Sequence, residues 1–309
     1  MPVALITHPA CFNHDTGPHH PERPARLRAV LGALETPEFQ HLLREVAPEA
    51  PESALRAVHH DAYVDSILAM APAEGEPVHL DADTLMSHGS LAAALRSAGG
   101  AMRAVDAVME GWARAAFVAT RPPGHHAEPD RAMGFCLFAN AAIAAHHARA
   151  HGLKRVAVVD FDVHHGNGTQ AMFETDADLF YASSHQYPCY PGTGRPSERG
   201  VAGNIVNAAL PPGSGSAEFR AAWQDTLIPA LERFAPELLI ISAGFDAHRF
   251  DPLAELNVET ADFAWLTEAL VGVADRHCGG KVVSLLEGGY DLEALAAGTA
   301  AHVRALMRH

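Results

Sequence analysis

V-A-V-V-D-F-D-V-H-H-G-N-G-T, residues 156–169, joins a run of apolar, mostly β-branched residues to a group of acidic and histidine residues. The apolar run predicts a buried strand of a parallel sheet. Asp160, Asp162 and His164 follow at every second position, and side chains two residues apart point to the same side of a strand. Carboxylate and imidazole groups gathered on one side suit a divalent metal ion. The alternative is a strand that ends in ordinary polar loop residues.

The composition describes a chain that can bury a large core and is unsuited to nucleic acid. Of 309 residues, 48% are apolar, and the formal net charge is −15 because 37 acidic residues outnumber 22 lysines and arginines. Phosphate backbones bind basic surfaces, so no nucleic-acid partner is expected. An acidic surface favours cationic substrates instead. At this length, a single α/β domain is expected to span residues 1–309.

The cysteines and the hydropathy pattern favour a cytoplasmic protein with reduced cysteines and no membrane-spanning segment. The four cysteines form no C-x-x-C pair, which is typical of free thiols in the cytoplasm: Cys11, Cys136, Cys189 and Cys278. The first residues, M-P-V-A-L-I-T-H-P, lack the basic and long apolar segments of a signal peptide. No apolar run is long enough to cross a bilayer. We therefore expect a cytoplasmic protein without a membrane partner.

Predicted strands alternate with predicted helices along the chain. Besides the strand at 156, short apolar segments predict strands over residues 3–7, 45–48, 115–119, 179–183, 205–209, 237–242 and 281–285. Apolar residues spaced three or four apart predict helices over 27–34, 52–70 in two pieces, 90–112, 137–150, 217–234, 258–277 and from 292 onward. This alternation predicts an α/β fold with helices on both faces of a mainly parallel sheet. In such sheets, ligands bind at the carboxyl ends of the strands.

Polar residues follow four of the predicted strands. After the strands at 115, 156, 237 and 281 come, in that order, His125 with His126, Asp162 with His164, Asp246, and Tyr290. Each alone has a structural explanation, such as a surface histidine pair, a helix cap for Asp246 or core packing for Tyr290. Because parallel strands end at the same edge, their joint placement predicts one site.

These residue types suit the metal-assisted hydrolysis of an amide. Asp162, His164 and Asp246 supply three ligands and leave a position open for water, as a catalytic zinc requires. An activated water can attack a carbonyl, a nearby histidine can transfer protons, and a tyrosine can stabilise the oxyanion. Ferrous iron suits the same ligands, so the residues leave zinc and iron as alternatives.

Four segments together resemble the motif set of the histone deacetylase family: R-P-P-G-H-H-A at 121–127, D-F-D-V-H-H-G-N-G-T at 160–169, S-A-G-F-D-A-H at 242–248 and L-E-G-G-Y at 286–290. The similarity runs from the first loop to the last helix. It implies a single-domain, three-layer α/β/α arginase/deacetylase fold with about eight strands. It also implies a zinc-dependent deacetylase that removes acetyl or other acyl groups from lysine side chains or related acylated amines.

The resemblance also implies two metal sites. It implies a catalytic zinc ion held by Asp162, His164 and Asp246. It further implies a structural potassium ion at Asp160, Asp162, His164 and Ser183.

The resemblance assigns roles to residues around the metal. It implies that His126 is the general base and acid, that His125 is its electrostatic partner bound to Asp160, and that Tyr290 polarises the acyl carbonyl. The positions that match substrate-binding residues are Gly134, Phe135, Tyr190 and Leu253. Arg23 matches an arginine in an internal channel behind the site.

One position indicates the branch of the family, and two others bear on the substrate. Asn167 stands where class I members carry an aspartate, as in the class II-like and bacterial amidohydrolase branch. An amide stabilises an imidazolium less than a carboxylate does, so His126 is expected to be less basic than in class I. Tyr190 replaces the usual phenylalanine, and Leu253 replaces a glutamate of the polyamine-specialised member. The leucine argues against strict polyamine specificity.

Other readings stay open at this point. An acetylpolyamine or another small acylated amine is the alternative substrate. An arginase-type ureohydrolase on the same fold would need two manganese ions and more aspartates in the strand-end motifs. A non-catalytic acyl-lysine binder would be expected to lack Tyr290 or a metal ligand, and both are present. The sequence is also compatible with a homo-oligomer.

Overall fold

The computed structural model describes residues 2–308. Its strands are β1 (Val3–Thr7), β2 (Leu43–Val46), β3 (Val78–His79), β4 (Leu85–Met86), β5 (Ala115–Val118), β6 (Val156–Asp160), β7 (Leu179–Gln186), β8 (Ile205–Leu210), β9 (Leu238–Ala243) and β10 (Val282–Leu286). Eight of them form one sheet in the order β2-β1-β5-β10-β9-β6-β7-β8, with every pairing parallel. The two short strands β3 and β4 pair separately as an antiparallel hairpin.

The helices cover both faces of the sheet. They are α1 (Pro24–Ala33), α2 (Glu52–Arg56), α3 (Asp61–Leu68), α4 (Ser90–Met109), α5 (Asn140–Ala150), α6 (Asn167–Phe173), α7 (Ser216–Ala222), α8 (Ile228–Phe234), α9 (Thr260–His277) and α10 (Leu292–Met307). Among residues 2–308, no helix is long and apolar enough to cross a membrane.

Alternate residues of a strand pack into the hydrophobic cores on opposite faces of the sheet. In β6, Ala157 and Val159 pack into the core under α1, α9 and α10, whereas Val156 and Val158 pack into the core under α4 and α5. All five residues of β6 are buried. A strand buried on both faces needs the continuous apolar run that opens the 156–169 segment.

The predicted edge strand and one predicted helix differ from the structure in ways that have a physical explanation. The edge strand predicted over 45–48 lies at Leu43–Val46, where it pairs with β1. The single helix predicted over 217–234 is divided into α7 and α8 by a π-helical segment, Trp223–Leu227. Pro229 stands at the start of α8 and has no N–H to donate into the preceding turn, which accounts for the wider turn there.

Candidate active site

The carboxyl ends of four adjacent strands, β5, β10, β9 and β6, meet at one edge of the sheet. The residues predicted at these four strand ends, His125, His126, Asp162, His164, Asp246 and Tyr290, lie in the loops that follow them. β6 itself ends at Asp160. The side chains of Asp162 and His164 are therefore oriented by the turn after β6 and not by the alternation of a strand.

Three buried side chains converge at the centre of this edge. The ligand atoms of Asp162, His164 and Asp246 all lie within 4.8 Å of one another. The Nδ1 atom of His164 is 3.2 Å from Asp162 Oδ1 and 3.2 Å from Asp246 Oδ2. Main-chain N–H groups hold the two carboxylates in place: Gly288 donates to Asp162 Oδ2 and Val163 donates to Asp246 Oδ1, both at 2.8 Å.

The Asp162–His164–Asp246 cluster is built for a cation. Two carboxylates and one imidazole are a ligand set that zinc uses in open sites, and the same set suits ferrous iron. The two buried carboxylates repel each other. Burial and the charge of Asp162 together raise the pKa of Asp246 to about 7. A divalent cation between them would remove that repulsion. A side chain at residue 288 would also collide with Asp246, because a Cβ there would lie 2.1 Å from Oδ2.

His125 forms a charged chain behind the cluster. Its Nδ1 is 3.0 Å from Asp160 Oδ2, which also accepts a 3.0 Å hydrogen bond from the Tyr181 hydroxyl. Burial alone would lower the pKa of His125, but the carboxylates of Asp162 and Asp160 raise it to about 10. This arrangement favours the protonated form of His125, and Asp160 contacts it as the resemblance implies.

The environment of His126 favours its neutral form, in contrast to that of His125. Its Nδ1 is 2.8 Å from Asn167 Oδ1, and its ring lies 4.0 Å from that of His125. Burial, followed by the neighbouring His125 and His164, lowers the pKa of His126 well below its usual value. A neutral imidazole beside a cationic one is the pairing needed for a proton acceptor at neutral pH.

Glu128 contacts Asn167, the partner of His126, and was not predicted from the sequence. The side-chain N–H₂ of Asn167 donates to Glu128 Oε1 at 2.6 Å, and Arg131 pairs with Glu128 Oε2 at 2.9 Å. The donated bond fixes the Asn167 amide so that its oxygen faces His126. The only sequence signal was the position of Glu128 two residues after the histidine pair.

Asn167→Asp is expected to raise the acid limb of the pH–rate profile when combined with Glu128→Gln. A carboxylate facing His126 would stabilise its protonated form and raise its pKa by about one unit or more. Below that pKa the base is protonated, so activity would be lost at a higher pH than in the native chain. The second change is needed because a new carboxylate would otherwise face Glu128.

The pH dependence of kcat/KM for the double variant, Glu128→Gln alone and the native chain measures this effect. An acid limb that stays in place in the double variant would contradict the assigned role of Asn167.

Aromatic rings pack against the residues around the cluster. Phe135 packs edge-on against Tyr290, with ring centroids 5.9 Å apart, and Tyr190 packs against His126 at 5.1 Å. His20, from the His-rich first loop, packs edge-on against Phe135, with ring centroids 4.7 Å apart. Phe135 has a positive φ of 70° and donates its N–H to Thr84 Oγ1. The first loop therefore contacts Phe135 through His20.

Gly134→Ala is expected to lower kcat/KM about 10- to 100-fold by displacing His126. Residue 134 has a φ of 56°, and a Cβ there would lie 2.4 Å from His126 Cδ2. Gly152→Ala is the matched control, because φ at residue 152 is 93° and nothing lies within 4 Å of the added Cβ. Both variants carry backbone strain, but only Gly134→Ala should lose activity in a steady-state assay. Equal losses would contradict the placement of Gly134 against His126.

Arg23 does not lie where the resemblance placed it. It precedes α1, is partly exposed, and donates to the main-chain oxygen of Pro18. The buried arginine is Arg26, one turn further on, which donates to the main-chain oxygens of Gly289 and Glu287 at 2.5 Å each. Its guanidinium also lies 4.9 Å from the Tyr290 ring centre. The prediction for Arg23 is corrected to Arg26, because α1 turns that face toward the site.

The structure leaves two other assignments as predictions. Ser183 lies opposite Asp160 in the β6–β7 pairing, and its hydroxyl is 2.9 Å from His185 Nδ1. Leu253 is 38% exposed and donates its N–H to Asp251, whose other carboxylate oxygen accepts the N–H of Tyr290. Leu253 is thus connected to the loop that carries Tyr290. The potassium assignment rests on the resemblance alone.

The family model for the histone deacetylase domain matches residues 20–306. The chain belongs to the histone deacetylase family. It is 41% identical to histone deacetylase 14, chloroplastic, of Arabidopsis thaliana, over 93% of this chain and 73% of that protein. It is 39% identical to a histone deacetylase-like amidohydrolase of Pseudomonas aeruginosa, over 91% of this chain and 79% of that protein.

The solved structures agree with the family. The crystal structure of the HDA15 HD domain superposes with a TM-score of 0.92 at 35% identity, covering 100% of this chain and 88% of that one. The predicted single-domain arginase/deacetylase fold with an eight-stranded sheet is therefore confirmed. As a member of the histone deacetylase family, the chain has relatives named as deacetylases, including a probable deacetylase of Archaeoglobus fulgidus at 37% identity.

Proposed function

We propose that this histone deacetylase family member is a zinc-dependent amidohydrolase that removes acyl groups from lysine side chains or related amines. One observation carries the proposal: the buried Asp162–His164–Asp246 cluster lies beside a histidine pair with opposite pKa shifts. A metal site alone would serve many functions, whereas a neutral proton acceptor next to it suits hydrolysis.

The residues present fit a catalytic metal ion. Asp162, His164 and Asp246 would hold it, and three protein ligands leave room for water and substrate. When bound there, the ion would polarise the amide carbonyl and lower the pKa of a water molecule. Ferrous iron remains the alternative to zinc, because the same ligands suit both.

The chain's own residues would divide the proton transfers and the charge stabilisation. His126, held neutral by burial, would accept the proton of the attacking water at its Nε2 and deliver it to the leaving amine. His125, held cationic by Asp160 and Asp162, would keep positive charge beside the reaction without giving up its own proton. The Tyr290 hydroxyl would donate to the developing oxyanion.

The approach suits a flexible, cationic chain with an acyl group at its end. Phe135 and Tyr190 would flank an aliphatic stem, since aromatic walls bury methylene groups without a polar demand. The excess of acidic residues favours a positively charged peptide or amine outside the approach. Leu253 supplies no carboxylate for a second ammonium group, so an acyl-lysine is preferred to a polyamine.

A panel of substrates tests the proposal. The zinc-loaded chain is incubated with acetyl-lysine peptides, longer acyl-lysine peptides and acetylpolyamines, and the released acid is measured. We expect kcat/KM to be highest for an acyl-lysine peptide. A preference for acetylpolyamines would favour the alternative substrate class, and hydrolysis of none would overturn the proposal.

Two further outcomes test the alternatives of an arginase-type enzyme and a non-catalytic acyl-lysine binder. An arginase-type enzyme would hold two manganese ions at this edge and release urea from arginine. A non-catalytic binder would retain an acetyl-lysine peptide in an equilibrium binding assay without cleaving it. Each is thus distinguished from a deacylase by its product.

A further inference from the structure

We propose that Asp106, His147 and His151 form a second divalent-metal site, of the zinc class, between α4 and α5. Asp106 lies in the last turn of α4, His147 in the last turn of α5, and His151 directly after α5. The proposal does not depend on the proposed function, because none of these residues belongs to the active site.

The three ligand atoms already converge. His147 Nε2 and His151 Nε2 lie 2.7 Å and 2.9 Å from the same oxygen, Asp106 Oδ1, and 3.3 Å from each other. Ligand atoms around a tetrahedral zinc ion with bonds of about 2.0–2.1 Å are about 3.3–3.4 Å apart. The two nitrogens already have that spacing, and the carboxylate oxygen would need to move away from them by about half an ångström.

The backbone holds the ligands in this arrangement. His147 and His151 are four residues apart, so their rings project from the same side of α5, as in zinc sites built on helices. Their rings are perpendicular, with centroids 4.8 Å apart. Asp106 comes from the neighbouring helix, so a bound ion would connect α4 to α5.

The local charges favour a cation at this place. Both helices end here, and the carboxyl end of a helix carries partial negative charge. The nearby Arg149 is engaged by Asp176 at 2.5 Å, and Arg103 pairs with Glu110 and Glu45. Asp106 is thus left to the two imidazoles. The side chains are 21–33% exposed, which admits an ion and a water ligand from solvent.

The site would lie opposite the catalytic edge. α5 runs into β6, so its last turn is at the amino ends of the strands, whereas Asp162, His164 and Asp246 lie beyond the carboxyl ends. An ion there would stabilise the packing of the helix that precedes the catalytic strand. We expect it to raise the melting temperature and to leave kcat unchanged.

Metal stoichiometry tests this proposal. The untagged full chain is stripped with chelator, dialysed against buffered zinc chloride, and analysed for bound zinc. The native chain should hold one equivalent more than His151→Ala or His147→Ala. Asp106→Asn should bind the second equivalent more weakly. His146→Ala, a neighbouring histidine on the same helix, is the matched control and should equal the native chain.

Thermal melting supplies the second readout. Zinc should raise the melting temperature of the native chain more than that of His151→Ala. Equal zinc content in the native chain and His151→Ala would overturn the proposal, as would an equal loss in His146→Ala. The comparison between variants stands whatever the catalytic cluster binds, so its failure is distinct from that of the proposed function.

Discussion

Tyr290→Phe is expected to lower kcat about 100- to 1,000-fold, the usual loss when one oxyanion donor is removed. Phenylalanine keeps the ring that packs against Phe135 and under the Arg26 guanidinium, so the loop should keep its shape. Only the hydroxyl is lost. Because its hydrogen bond strengthens as negative charge develops on the oxygen, kcat should fall while KM changes little.

Steady-state kinetics with an acetyl-lysine peptide, together with zinc analysis, measures this effect. The zinc content should equal that of the native chain, since Tyr290 is not a ligand in the proposed arrangement. Tyr63→Phe is the matched control: it removes a buried hydroxyl that donates to Leu137, outside the site. Retention of full activity by Tyr290→Phe would contradict the role assigned to the hydroxyl.

Glu22→Gln is expected to reduce the free energy of unfolding by about 3–5 kcal/mol, as when one partner of a buried ion pair is removed. Glu22 is fully buried between two fully buried arginines, Arg26 and Arg121. Its Oε1 lies 3.0 Å from Arg26 Nη1, and its Oε2 lies 2.6 Å from Arg121 Nη2. A neutral amide would leave two buried cations without a counter-charge.

Denaturant unfolding of Glu22→Gln beside Glu52→Gln measures the cost. Glu52 forms an exposed pair with Arg56, and such pairs contribute only about 0–1 kcal/mol. Equal small effects of the two changes would contradict the importance of the buried network.

The pH dependence of stability provides an independent check on Glu22. Burial opposes ionisation, but Arg121 and Arg26 prevail and lower the pKa of Glu22 from 4.5 to about 2. A depressed carboxyl pKa stabilises the folded state above the unfolded value and loses that contribution as the pH falls toward the folded value. The difference between the native chain and Glu22→Gln should therefore be constant down to about pH 4.5 and shrink below it.

The Glu22 network also connects stability to the site. Arg26 holds the main-chain oxygens of Glu287 and Gly289, the residues that lead to Tyr290. Glu287 is itself buried, and its Oε2 accepts the N–H of Gly124 at 2.8 Å, one residue before the histidine pair. Loss of Glu22 should therefore loosen the Tyr290 loop as well as the fold.

The sheet could be predicted from the periodicity of apolar residues, and the metal cluster from the shared edge at which parallel strands end. Parallel strands with buried faces are continuous apolar runs, and their carboxyl ends share one edge. Asp162, His164 and Asp246 needed no knowledge of side-chain packing to be placed there. The contacts of His125 with Asp160 and of His126 with Asn167 followed from the family motifs.

Other features depended on which helix face is buried and on distant loops. Arg23 and Arg26 both lie at the start of α1, and only the packing of that helix shows that Arg26 is the buried one. Glu128 and His20 reach the site through loop conformations that have no period. The spacing of His147 and His151 is visible in the sequence, but their meeting with Asp106 requires the packing of α4 on α5.

The most direct test of the account is the metal dependence of acetate release from an acetyl-lysine peptide. The purified chain is assayed as prepared, after removal of metal by a chelator, and after zinc is returned; Asp246→Asn is treated in parallel. We predict that activity is lost on chelation, recovers with zinc in the native chain, and does not recover in Asp246→Asn. Undiminished activity in the metal-free chain, or none in the zinc-loaded chain, would contradict the account.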